Sequence, residues 1–200
     1  ERGARAAPVR RAVIVCRAML ASRAAPVALL LAAALFRIHN AWAGPPLSGY
    51  DGPFHAAYIG ILHFEGRIPL QHESWSTFHP PLYYLLSDGI WRLLPSDATP
   101  RAVLFAMQLL NVAFSLGLGF AVYRSARLVF PERARLALYA LALVLFLPMH
   151  AGPSVQLGNE MAATSLSALA VLQLLRVLAD PGSRAGPTGL GVLLALALLS

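Results

Sequence analysis

Apolar positions in this chain form long runs separated by short polar gaps, and one gap is far longer than the rest. The runs cover Ala24 to about Trp42, Ala102–Tyr123, about Leu136–Met149, Met161–Leu178 and Leu190 onward. Alanine and leucine fill them without the alternation of a half-buried strand, so the pattern predicts membrane-crossing helices and not a β-barrel. The expected fold class is an all-α polytopic membrane protein with about five spans and a large first extracytoplasmic loop carrying interfacial helices. It divides into a basic segment 1–23, a first span 24–43, a loop 44–101 and the remaining spans over 102–200.

Two helices are expected inside the loop. Asp51-Gly52-Pro53 opens the first as N-cap and first turn, and Gly66 stops it. His55, Tyr58 and Leu62 follow one helical stripe, which suggests a helix lying flat on the bilayer. His79-Pro80-Pro81 forces an extended entry before Leu82-Tyr83-Tyr84, where a second helix begins. The apolar piece Pro80–Leu94 contains Asp88 and Arg92, and at ~1.5 Å per residue it is too short for a ~30 Å hydrocarbon core. Further on, Pro131 with Glu132 marks a helix start, and Asp180-Pro181-Gly182 a turn after the fourth span.

Composition strengthens the membrane reading. Charged residues make up 12% of the chain and the mean hydropathy is +0.62, against a charged share of about 25% in soluble domains. The last apolar run is still open at Ser200, and a helix does not end in hydrocarbon with free carbonyls, so more chain is expected beyond it. Cys16 is the single cysteine, which rules out a disulfide framework or a cysteine-ligated zinc site in these residues.

The net charge of +7 comes from arginine alone. These arginines flank apolar spans, so membrane orientation explains them and nucleic acid is not an expected partner. If Pro80–Leu94 crossed the membrane, Arg124, Arg127, Arg133 and Arg135 would lie outside, against the positive-inside rule. With that piece on the surface, those four join Arg176, Arg184 and the six N-terminal arginines on the cytoplasmic side. Residues 44–101 then form one outer loop, and about 150–160 a second. A secretory signal peptide cleaved near Ala41-Trp42-Ala43 is the other reading of the N-terminus; an uncleaved first helix fits the later spans better.

Four of the six histidines and five of the nine acidic residues lie in 44–101. Asp51, at a helix start near the membrane, is a candidate general base as well as a cap. His72-Glu73 lacks the second histidine of a zinc-protease motif, because Ser76 stands in its place. His55, His63, His72 and His79 have no regular ligand spacing, so no metal ligands are assigned. Glu160, after Gly158-Asn159, either caps the next span or serves as a carboxylate at the membrane boundary.

An acid early in the first outer loop, His79-Pro80-Pro81-Leu82-Tyr83-Tyr84 later in it, and Asn159-Glu160 opening the fourth span together resemble a known family. They are similar to the N-terminal part of GT-C-type membrane glycosyltransferases, in the protein mannosyltransferase and aminoarabinose-transferase-like group, glycosyltransferase family 39. The resemblance runs from about Ala24 to Ala179. It implies an inverting enzyme that moves a sugar from a polyprenyl-phosphate-linked donor to a lipid, glycan or protein. The expected location is the outer face of a multi-pass protein of the bacterial inner membrane. Asp51 maps onto the family's proposed base, Glu160 onto the second-loop acid with Asn159 beside it, and Pro80-Pro81 onto the Pro-Pro segment. The expected substrate-binding residues are His55, Tyr58, His79, Arg92, Arg101, Asn159 and Glu160, with Arg67 as a further phosphate-binding arginine. Many relatives carry an Asp-Glu pair where this chain has Asp51-Gly52, and metal use varies within the family. The competing expectation is a transporter, for which Gln108, Asn111 and Gln156 are the polar candidates inside or beside the spans.

Overall fold

A computed structural model describes residues 24–182 and 185–200. The basic segment 1–23 with its six arginines, and Arg184 in the last loop, lie outside the described residues. Every regular element among the described residues is helical. In chain order these are α1 (Ala24–Ala43), α2 (Gly52–Glu65), α3 (Leu82–Leu93), α4 (Pro100–Val129), α5 (Ala134–Phe146), α6 (Pro148–Ala151), a 3-10 turn (Pro153–Val155), α7 (Glu160–Ala179) and α8 (Ala185–Leu198).

Helix α4 is the centre of the fold and packs against α1, α3, α5 and α7, while α8 lies along α7. Its start is locally encoded: the Thr99 side chain accepts from the Ala102 amide and Pro100 opens the first turn. Three helices, α1, α4 and α7, are long and apolar enough to cross a membrane. The segment expected to run unbroken to Met149 instead ends at Phe146 and continues after a 57° bend, so the pair makes at most a fourth span. Pro148 explains the break, since its ring and missing N–H do not fit a helix interior. The last apolar helix, α8, is shorter than a span. Pro131 and Glu132 do not begin a helix. They form a turn, and α5 starts at Ala134.

The helix break is held by a residue that the apolar pattern passes over. Arg37, the single arginine of α1, is fully buried, and its guanidinium donates to the Leu145 carbonyl at 2.6 Å and to Ser154 Oγ at 2.8 Å. Breaking α5 removes the amide that would have served Leu145, and Arg37 supplies the missing donor. Around it Ala33, Leu141 and Leu145 close a small apolar cluster.

The two helices expected in the loop are present. Gly66 ends α2 in the left-handed region at φ 67°, with its amide bonded to the Leu62 carbonyl. The buried stripe of α2 (Tyr58, Ile59 and Leu62) packs on Tyr83 and Tyr84 of α3, on Val103 and Met107 of α4, and on Leu157 and Ala162. The loop also leaves and returns at one end of the helices. Arg101, at the start of α4, donates to the carbonyls of Ala41, Trp42 and Gly44 at the end of α1. Gln108 reaches the carbonyls of Pro46 and Val155, which brings the stretch before α7 to the same end.

Candidate active site

At that end the N-termini of α2 and α7 meet. Asp51 occupies the N-cap position of α2, but its carboxylate makes no capping bond. It turns instead to His55 one turn on, with Oδ2 3.1 Å from Nε2. Glu160, the first residue of α7, approaches the same nitrogen at 3.9 Å through Oε1. His55 is fully buried while Asp51 and Glu160 are 34% and 56% exposed, so the imidazole is sealed behind two carboxylates that face outward.

The other face of His55 is fixed by aromatic groups. Its Nδ1 lies 2.7 Å from the Tyr84 hydroxyl. Tyr84 stacks on Tyr58 with ring centres 3.7 Å apart and planes at 4°. His79 stacks on His55 at 5.6 Å. Burial pushes the Tyr84 phenol well up, with Tyr83 and Glu160 adding to it, so it stays neutral at physiological pH and keeps its proton for hydrogen bonding. Burial, and after it the neighbouring His55, lowers the His79 imidazole, while Glu160 and Asp51 pull the other way.

Glu160 is placed by a clamp on the turn before it. Asn111 of α4 donates to the carbonyls of Gln156 at 2.7 Å and Gly158 at 2.9 Å. The Tyr83 hydroxyl accepts from the Gly158 amide at 3.3 Å, and burial raises this phenol to about 12. Glycine at 158 lets the Glu160 carboxylate fold back over the turn, and a side chain there would make it shift. A Cβ there would lie 2.3 Å from Glu160 Oε2 and 3.4 Å from His55 Nε2.

Of the expected site residues, Asp51, His55, Glu160 and His79 come together, and Tyr58 supports them through Tyr84. The side chains of the other three are engaged elsewhere. Arg92 bonds Asp88 at 2.8 Å and the Leu62 carbonyl at 3.1 Å, about two turns along α2 from His55. Arg101 is spent on the carbonyls that end α1, and the Asn159 amide donates to the Ser200 carbonyl. Arg67 is held by Glu65 and Glu73. Among the described residues no arginine pairs with Asp51 or Glu160. The four loop histidines do not converge either, because His63 is bound to Asp88 and His72 is exposed.

Sequence reasoning gave Tyr84 no role beyond opening a helix, yet it is the direct partner of His55. It also missed Asn111 as a clamp and Arg37 altogether. For both, the available signal was a polar or ionisable residue inside an apolar run, which is costly unless it has a defined partner. No protein-family model matches the chain, and no curated protein or solved structure shows a significant similarity to it. Among the described residues, fold and site together give a helical chain with three helices long and apolar enough to cross a membrane and a carboxylate–imidazole cluster at one end of them.

Proposed function

We propose that this chain is the N-terminal part of a membrane glycosyltransferase of the GT-C type, using a polyprenyl-phosphate-linked sugar on the extracytoplasmic face. The observation that carries the reading is the meeting of Asp51 and Glu160, from two separate loops, at an exposed edge beside buried His55. In the reaction an acceptor hydroxyl attacks the anomeric carbon, and its proton passes to the Asp51 carboxylate. The bond from that carbon to the phosphate oxygen breaks with its electron pair, releasing polyprenyl phosphate and inverting the anomeric centre. A phosphate leaving group needs little acid help, so one general base suffices.

A cavity of about 490 Å³ opens on the neighbouring face of α2, lined by Leu47, Ala56, Ile59, Trp91, Val103 and Met107. Its apolar walls suit a stretch of the isoprenoid tail. The transporter reading draws less support. The amide donors of Gln108 and Asn111 are engaged with backbone carbonyls, which leaves them to hold loops in place.

The test is transfer from a panel of radiolabelled polyprenyl-phosphate sugars by the full-length protein in membranes. Wild type transfers label to a lipid, glycan or protein fraction, and Asp51→Asn does not. Transfer at the wild-type rate in that variant removes Asp51 from the mechanism.

A further inference from the structure

The geometry points to a divalent-cation site formed by Asp51 Oδ2, His55 Nε2 and Glu160 Oε1, taking a manganese- or zinc-like ion and leaving open positions toward solvent. Three ligand-capable groups lie with their atoms within 4.8 Å of one another. A second observation is independent of this clustering. His55 Nε2 is completely buried and has no hydrogen-bond partner, although it is aimed between the two carboxylates. When Nδ1–H donates to the Tyr84 hydroxyl, Nε2 carries a lone pair directed at two anions. That arrangement is unfavourable unless a cation lies among the three groups.

Distances and surroundings fit an ion. Two ligand atoms each ~2.1 Å from a metal are at most ~4.2 Å apart, and Nε2 lies 3.1 Å from Asp51 Oδ2 and 3.9 Å from Glu160 Oε1. Glu160 is more than half exposed, so its side chain can swing to close the third edge. Tyr84 supplies the outer-shell bond that fixes the orientation of a metal-bound imidazole. Gly158 leaves the space that a side chain would fill beside Glu160. One nitrogen and two carboxylate oxygens suit manganese or zinc better than a purely oxygen-bound cation. Asp51 gives the ion one oxygen and keeps the other, so the site does not conflict with its role as a base. The site also answers the lack of an arginine at this place, because an ion with open positions can meet a phosphate.

The proposal is independent of the sugar-transfer reading, since it is read by metal uptake without substrate. The untagged full-length protein in detergent is stripped with chelator, and Mn²⁺ and Zn²⁺ are titrated by calorimetry, with bound metal counted after gel filtration. One ion per chain is expected. Glu160→Gln, at an exposed and sterically neutral position, should weaken binding at least about 10-fold, and His55→Ala should weaken it more. Tyr84→Phe should weaken it about 10-fold by releasing the imidazole, whereas His63→Ala leaves it unchanged. Absence of uptake by wild type, as expected if a proton alone neutralises the cluster, overturns the site. So does undiminished binding in Glu160→Gln.

Discussion

Helix α2 carries two histidine–carboxylate contacts of nearly equal length that do opposite jobs. His55 meets Asp51 at 3.1 Å near the start of the helix, and His63 meets Asp88 at 2.9 Å near its end. At His63 the charge is balanced. Asp88 also pairs with Arg92 at 2.8 Å, Arg92 reaches back to the Leu62 carbonyl, and the imidazole stacks flat on Trp91 at 3.9 Å. The His63–Asp88 contact and the bonds from Arg92 to the Leu62 and His63 carbonyls join α2 to α3. At His55 two carboxylates share one imidazole, no arginine of the described residues joins them, and both acids face solvent. The short distance does not mark the site. What does is the unbalanced negative charge, held in place by a buried aromatic wall and by the Asn111 clamp.

The sharpest way to break the comparison is to neutralise one acid on each side. Asp51→Asn should lower transfer about 10²–10⁴-fold, the usual weight of a general base, while Asp88→Asn transfers at close to the wild-type rate. Equal losses in a membrane transfer assay would erase the distinction.

Arg37 extends the structural side of the contrast, because its partners are two carbonyls and a hydroxyl and it serves no exposed group. Arg37→Ala should cost about 3 kcal/mol by leaving the Leu145 carbonyl unsatisfied and a gap behind it, measured as reduced resistance to unfolding in detergent. Asp88→Asn comes next, at about 1–2 kcal/mol in the same measurement, since it breaks a partly buried bond to Arg92 and His63. Asp51→Asn should change stability less than either, as it relieves one of two crowded carboxylates.

The smallest effect belongs to the exposed Arg67–Glu73 pair, in which Arg67 also meets Glu65. Arg67 and the Leu70 amide lower the Glu73 carboxyl from 4.5 to about 2. The folded state therefore favours the ionised form. Its contribution is complete above pH 4.5 and is lost as the pH falls toward 2. Proteolysis of the 66–79 segment should rise across that interval in wild type and be already high, with little pH response, in Glu73→Gln.

Much of the frame was legible from local patterns. The apolar runs, Pro100 opening α4, the Asp51-to-Gly66 helix and the start of α3 after Pro80-Pro81 depend on residues only a few positions apart. The pairing of Asp51 with His55 was within reach too, because i and i+4 share a helix face. The arrival of Glu160 was not. It depends on the tilt of α7 against α4 and on Asn111 seizing the turn before it, neither of which has a local signature. The same limit explains the arginines. Arg92 and Arg101 are outer-loop cations by sequence, but Asp88 and the last carbonyls of α2 and α1 compete for them, and here those groups are their partners. Local sequence set the main helices and the starts of α2, α3 and α4, since propensity, capping and hydrophobic spacing act over one or two turns. The tertiary structure alone decided which carboxylates face each other and which arginines are already engaged, because packing brings together groups whose local sequences carry no information about one another.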